Sequence, residues 1–190
     1  MKKSKVETAE TRRRIVETAA REFRRNGIQA TGLADVMAAA GLTHGGFYRH
    51  FKSKDQLVAE ACGAGIGSMV TSAEAAAGER DGEAGFKAFV EGYLAPAHRD
   101  DRSDGCPLAG LGSELARADD ETRAAASAGF LRLVDVLTEQ IRRRKPEAAK
   151  SDALFALSAM VGAVTMSRIV ADPDLSLAIL RDTKKRLVNV

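Results

Sequence analysis

The stretch THGGFYRHFKSKDQL, Thr43 to Leu57, concentrates the residues of this chain whose types and spacing could do chemistry. Two glycines, two histidines, a tyrosine and an arginine fall between Thr43 and His50. Three readings compete: a metal site, a helix tip pressed onto a phosphate backbone, and an irregular turn. His44 and His50 are six apart, so on one helix they face different ways, and no carboxylate or cysteine joins them at a ligand spacing. No metal and no cofactor is therefore expected. A helix tip opening at Thr43 offers unpaired backbone N–H groups to an anion. Gly45 and Gly46 remove side chains that would hold DNA away, Tyr48 brings a hydroxyl donor, and Lys54 sits within reach of a phosphate. Arg49 suits base reading or phosphate clamping, according to its direction. Phe47 and Phe51, four apart, anchor such a helix to a core.

A second group is Cys106 before Pro107 at a helix start, where the helix dipole lowers a thiol pKa, although Asp104 opposes it. Cys106 is a candidate sensor; Cys62 reads as a small packing residue. Two cysteines are too few for a disulfide framework. No nucleophile–base pair of recognised spacing and no glycine-rich loop after a strand is present, so the chain does not read as an enzyme.

The elements that would position these residues are all helices. Strand alternation is almost absent, and alanine, the best helix former, is abundant. A first helix, about Thr8 to Asn26, carries Ile15, Ala19 and Phe23 on one stripe and ends at Gly27. Thr31 is the expected N-cap of a short helix, Leu33 to Ala40, which Gly41 ends. Thr43 caps a third, closed by Phe51 and Lys52. Ser53 with Gln56 makes a capping box for a fourth, running to about Ala77. Two short helices joined by AGLT make a helix-turn-helix. Further helices are expected at Glu83–Ala97, from Pro107 to about Arg117, and from an Asp119 cap to about Arg144 with a basic RRRK end. HRDDRSDG, 98–105, reads as a loop. Two last helices follow, at about Pro146–Ala171 and Asp174–Val188. The helix after Pro146 has two apolar stripes: Leu154, Leu157, Val161 and Val164, then Phe155, Ala159, Gly162, Met166 and Ile169. It is either a wholly internal core helix or one whose second face meets a partner subunit.

The totals agree with a two-part chain. Of its 190 residues, 1–60 hold 12 Lys/Arg against 7 Asp/Glu, and 61–190 hold 17 against 19. A basic first third on a mildly acidic remainder fits an end that meets a polyanion, or a solvated face that is basic by chance. No apolar run approaches the ~20 residues of a membrane span, and no secretory signal opens the chain. The expectation is a cytoplasmic protein with reduced thiols.

TGLADVMAAAGLTHGGFYRHFKSKDQL resembles the DNA-binding signature of the TetR family of transcriptional regulators. The likeness rests on Thr31, Val36, Ala40, Gly41, Thr43, Gly45, Tyr48, His50, Phe51, Ser53, Lys54 and Leu57, and covers 8–57 well. It implies an all-α fold of about nine helices. A three-helix DNA-binding domain, 1–52, carries the helix-turn-helix at about 31–50, and a larger helical bundle, 53–190, binds ligand and dimerises. It implies a homodimer through the last two long helices, a double-stranded DNA operator as partner, and control by a small ligand. Thr31, Thr43, His44, Gly45, Gly46, Tyr48, Arg49, His50 and Lys54 are then the expected DNA contacts. Gly32, Ala34 and His44 depart from the family's usual residues.

Met69, Phe86, Phe89, Tyr93, Phe130, Phe155 and Met160 are the candidate pocket walls, or ordinary core. Few charges fall inside these stripes, so an apolar or weakly polar ligand is expected. GCPLAGLGSELA is similar to a segment of some family members that respond to electrophiles or oxidants, which implies control through Cys106 as the alternative. A helical binder or enzyme that merely carries a helix-turn-helix is the remaining reading.

Overall fold

The computed structural model describes residues 5–78, 82–142 and 146–188. Nine α-helices and one 3-10 helix make up the described residues, with no strand among them. They are α1 (Lys5–Asn26), α2 (Leu33–Ala39), the 3-10 helix His44–Arg49, α3 (Lys54–Ala77), α4 (Gly82–Tyr93), α5 (Pro96–Asp100), α6 (Pro107–Leu115), α7 (Asp120–Arg142), α8 (Ala149–Ile169) and α9 (Pro173–Val188). The MKKS start and most of the RRRK helix end lie outside the described residues.

The stop signals act as expected. Gly27 (φ 90°) and Gly41 (φ 71°) take the left-handed conformation after α1 and α2. Ser53 Oγ accepts the Gln56 N–H at 3.1 Å, while Gln56 Oε1 accepts the N–H of Lys52 at 2.8 Å. Asp119 caps α7 by accepting the Thr122 N–H at 3.0 Å.

Three expectations need correction. The cap of α2 is Gly32, not Thr31, and its N–H is held by Asp35 Oδ2 at 3.1 Å. The helix expected over Glu83–Ala97 breaks at Leu94–Ala95, because Pro96 cannot donate to the turn before it and instead starts α5. Residues expected in the 98–105 loop are therefore partly helical. The segment after Thr43 winds as a 3-10 helix rather than an α-helix; a six-residue piece with two glycines in its first turn gains little from α-helical propagation.

α1, α2 and the 3-10 helix form a head around Ile15, Ala19, Phe23, Val36, Met37, Phe47 and Phe51. α3 leaves the head and packs along α7, which packs on α8, which packs on α9. The α3–α7 crossing is close at Gly129, where an added Cβ would lie 2.6 Å from Ile66 Cγ2. α8 shows both of its stripes. Leu157 and Val164 are fully buried, whereas Phe155 (61%), Met166 (49%) and Ile169 (68%) face outward. By length and composition α8 is apolar enough to cross a membrane, contrary to the sequence expectation. Its inner face, with Ala153, Leu157, Met160 and Val164, is instead buried in the bundle against α6, α7 and α9.

Candidate DNA interface

The head presents one edge of the 3-10 helix. Phe47 is fully buried and stacks on Phe51, ring centroids 5.4 Å apart, fixing the element to the core. Arg12 of α1 braces it from the other side. Its guanidinium lies 4.4 Å over the Phe51 ring, its Nε donates to the His50 carbonyl at 3.3 Å, and it forms a two-pronged ion pair with Glu60 on α3. The Glu60 hydrogen bond raises the Arg12 pKa above its ordinary value. Thr43, His44, Gly45, Tyr48 and Arg49 are thereby held exposed, with Tyr48 66% exposed. His44 and Tyr48 meet edge to face at 6.4 Å. Gly46 is half-buried, and a Cβ there would lie 3.6 Å from Met37 Cε, an ordinary packing contact. His50 is half-buried at the C-terminal end, where its N–H donates to the Phe47 carbonyl at 2.9 Å.

Two expected contacts also bond within the protein. Thr31 is 2% exposed, and its hydroxyl donates to the Gly27 carbonyl at 2.7 Å, so it locks the α1–α2 turn. Lys54 is half-buried and donates from Nζ to the Ile28 carbonyl at 2.7 Å. Any phosphate would share this ammonium with the turn.

Links between head and body went unseen in the sequence. Arg24, its side chain 8% exposed, donates from Nε to the Ser103 carbonyl at 2.6 Å and lies 3.4 Å from Asp104. Burial, and the charge of Arg21, draw its pKa down, while Asp104 supports it. Glu114 on α6 accepts the Gln29 N–H at 2.9 Å. The one available signal was that Arg24 lies beside Phe23 on the buried side of α1.

The pocket candidates separate. Phe86 and Phe155 line a cleft between α4, α7, α8 and α9. Phe89, Tyr93 and Met160 are buried in the core, and Met69 and Phe130 pack partly buried against it. Cys106 is 1% exposed, at the N-cap of α6. Burial pushes its thiol pKa up, and the nearby Tyr93 and backbone N–H groups of Ala109 and Leu108 oppose that shift. His98 accepts the Cys106 N–H at 3.0 Å on Nε2. Cys62 is buried too, and its thiol is pushed up to about 11. Both thiols are free. Among the described residues no group of three or more His, Cys, Asp or Glu is placed to hold a metal.

A braced, exposed 3-10 tip on a three-helix head, followed by a helical bundle, agrees with known proteins. Residues 15–61 match the description "Bacterial regulatory proteins, tetR family", and residues 83–179 match "Transcriptional regulator LmrA/YxaF-like, C-terminal domain". The chain belongs to the TetR family of transcriptional regulators, which are not enzymes. It is 42% identical over 59 residues to the HTH-type transcriptional regulator AcrR of Shigella flexneri, a stretch spanning 31% of this chain and 27% of that one. A TetR regulator of Chloroflexus aurantiacus superposes with a TM-score of 0.81 at 27% identity, over 96% of this chain and 94% of that one. The reduced form of Escherichia coli NemR has the same fold, with a TM-score of 0.82 at 17% identity over 95% and 96% of the two chains.

Proposed function

We propose that this chain is a cytoplasmic, homodimeric repressor that binds a near-palindromic DNA operator and leaves it when a small apolar or weakly polar ligand binds the body. The observation that carries the reading is the exposure of Thr43, His44, Gly45, Tyr48 and Arg49 on one edge of an element braced by buried Phe47 and Phe51. Backbone N–H groups and Tyr48 would hold phosphates, and Arg49 would reach base edges in the major groove. Gly46, His50 and Lys54 would shape and support that edge. The second copy would cover the outward stripe of α8, Met166 and Ile169 with Leu154, and the exposed Leu175 and Leu177 of α9. A large apolar patch of this kind marks an interface. Pairing there would set two heads about one DNA turn, ~34 Å, apart. A ligand that binds best when the heads are wrongly spaced would shift the population off DNA.

The test is selection of bound sequences from a random DNA library by the full-length protein at two salt concentrations. An enriched inverted repeat, bound two chains to a site, is expected. Strongly salt-dependent binding without enrichment would reduce the head to a non-specific basic surface.

A second reading makes Cys106 the control point. Tyr93 and the N–H groups of Leu108 and Ala109 would stabilise a thiolate there, but burial holds the resting thiol protonated. If an electrophile releases the protein from DNA, Cys106→Ser should abolish that release; an unchanged response removes Cys106 from the mechanism.

A further inference from the structure

A cleft open to solvent lies between α4, α7, α8 and α9. It lies at the end of α3 remote from the head: Ala73, beside it, is 19 residues along the helix from Lys54, about 28 Å at 1.5 Å per residue. Its walls are apolar and aromatic, with Phe86, Ile141, Phe155, Ala156 and Leu187 among them. Glu83, Lys87 and Asp152 also line it, so both charge signs are present and neither a strong anion nor a strong cation is selected.

One polar residue of this wall is buried. Gln140 is 4% exposed, and its Nε2 donates to the Ala73 carbonyl at 3.1 Å. A carbonyl only accepts, so this contact fixes which end of the amide is which. Oε1 is left buried with no hydrogen-bond partner among the described residues. A buried acceptor without a donor carries a desolvation cost that nothing in the fold recovers. Gln140 lines the cleft, so a small shift of its side chain would offer this acceptor to a bound donor.

Resting on the ligand-controlled reading above, we infer that this cleft is the effector site and takes a neutral, mainly apolar molecule with one hydroxyl or N–H that donates to Gln140 Oε1. Phe155 connects the site to regulation. It lines the cleft, yet 61% of its surface lies outside, on the stripe of α8 that a second copy would cover. A bound ligand therefore moves a side chain that the dimer contact also uses, and α8 carries the change to the pairing of the two bodies.

The experiment titrates the full-length protein calorimetrically with 2-naphthalenemethanol and with its methyl ether, which differ in the donor alone. The wild type should bind the alcohol at least tenfold more tightly than the ether. Gln140→Met should bind the two equally. Phe155→Ala, at an exposed position that tolerates truncation, should weaken both probes together and keep their ratio. Equal binding of alcohol and ether by the wild type overturns the inference, as does failure to bind either at millimolar concentration. A preference that survives Gln140→Met overturns it as well. Selected-operator binding without ligand is measured on the same samples. Loss of sequence-specific binding in the wild type would sink the regulator reading instead, whatever the calorimetry shows.

Discussion

The Nε of Arg24, in the head, donates to the carbonyl of Ser103, in the body, at 2.6 Å across the joint between them. The guanidinium is nearly buried there, and an added Cβ on Gly65 of α3 would lie 2.5 Å from its Nη1. Head, α3 and the α5–α6 loop thus share one side chain. Arg24→Met keeps much of the packing and removes the hydrogen bonds. The unfolding free energy should fall by about 1.5–3 kcal/mol, as for hydrogen bonds to charged groups. Urea titration reads this as a lower midpoint at constant slope. Operator affinity should also fall with its salt dependence intact, because Arg24 holds the head and touches no phosphate. Unchanged operator affinity would remove Arg24 from the coupling.

Thr31 and Tyr48 separate support from contact. Thr31→Val breaks an internal hydrogen bond, so about 1 kcal/mol of stability should be lost with little change in DNA affinity. Tyr48→Phe should do the reverse: an unchanged melting temperature and weaker binding to every sequence. Arg49→Ala should cost ~1–3 kcal/mol on the selected operator and relax preference at one position. Equal losses for Arg49→Ala on selected and random DNA would remove its base-reading role.

What was legible in the sequence was what local chemistry decides. Gly27 and Gly41 mark helix ends because the left-handed conformation suits glycine whatever surrounds it. The two stripes of α8 follow from helical periodicity; the structure buries Leu157 and Val164 of the first but leaves its Leu154 exposed with Phe155, Met166 and Ile169 of the second. Thr31 was misplaced because a hydroxyl near a helix start serves a cap, a turn or a phosphate equally well. Only the path of residues 27–31 selects the Gly27 carbonyl. Lys54 was read as placed for a phosphate, and nothing local reveals its bond to the Ile28 carbonyl 26 residues earlier. Gln140 was passed over, although it continues the Leu133–Leu137 stripe at i+7 and i+3. A polar residue at core spacing was a signal, but its empty acceptor depends on the position of Ala73 in α3.

The outward stripe of α8 gives a test of assembly independent of DNA. Ile169 is 68% exposed, so Ile169→Glu should leave the folded chain as stable as before. A charge on this stripe should convert the proposed dimer to monomer in sedimentation equilibrium. Operator affinity should then drop by orders of magnitude, because the second head loses its tethered effective concentration. An unaltered dimer would move the interface elsewhere.

His98 makes the stability of the fold depend on pH. His98 Nδ1 lies 2.6 Å from the Tyr93 carbonyl and Nε2 accepts the Cys106 N–H at 3.0 Å. A carbonyl only accepts, so Nδ1 carries the proton and Nε2 is bare, which is the neutral ring. Burial lowers the His98 pKa from its ordinary 6.5, and the charge of Arg168 adds to this; the Tyr93 carbonyl and Asp101 pull the other way. The unfolded chain therefore takes up this proton at higher pH than the folded one. Stability is fully present above about pH 6.5, and is lost as pH falls through the lowered folded value. Protonation at Nε2 also ends the contact that holds the Cys106 backbone at the start of α6. Melting temperatures of wild type and His98→Gln across this range give the test. Gln offers a donor and an acceptor without titrating, so its profile should be flatter just below pH 6.5 and parallel to wild type above it. Coincident slopes in the two proteins would exclude His98 as the titrating group.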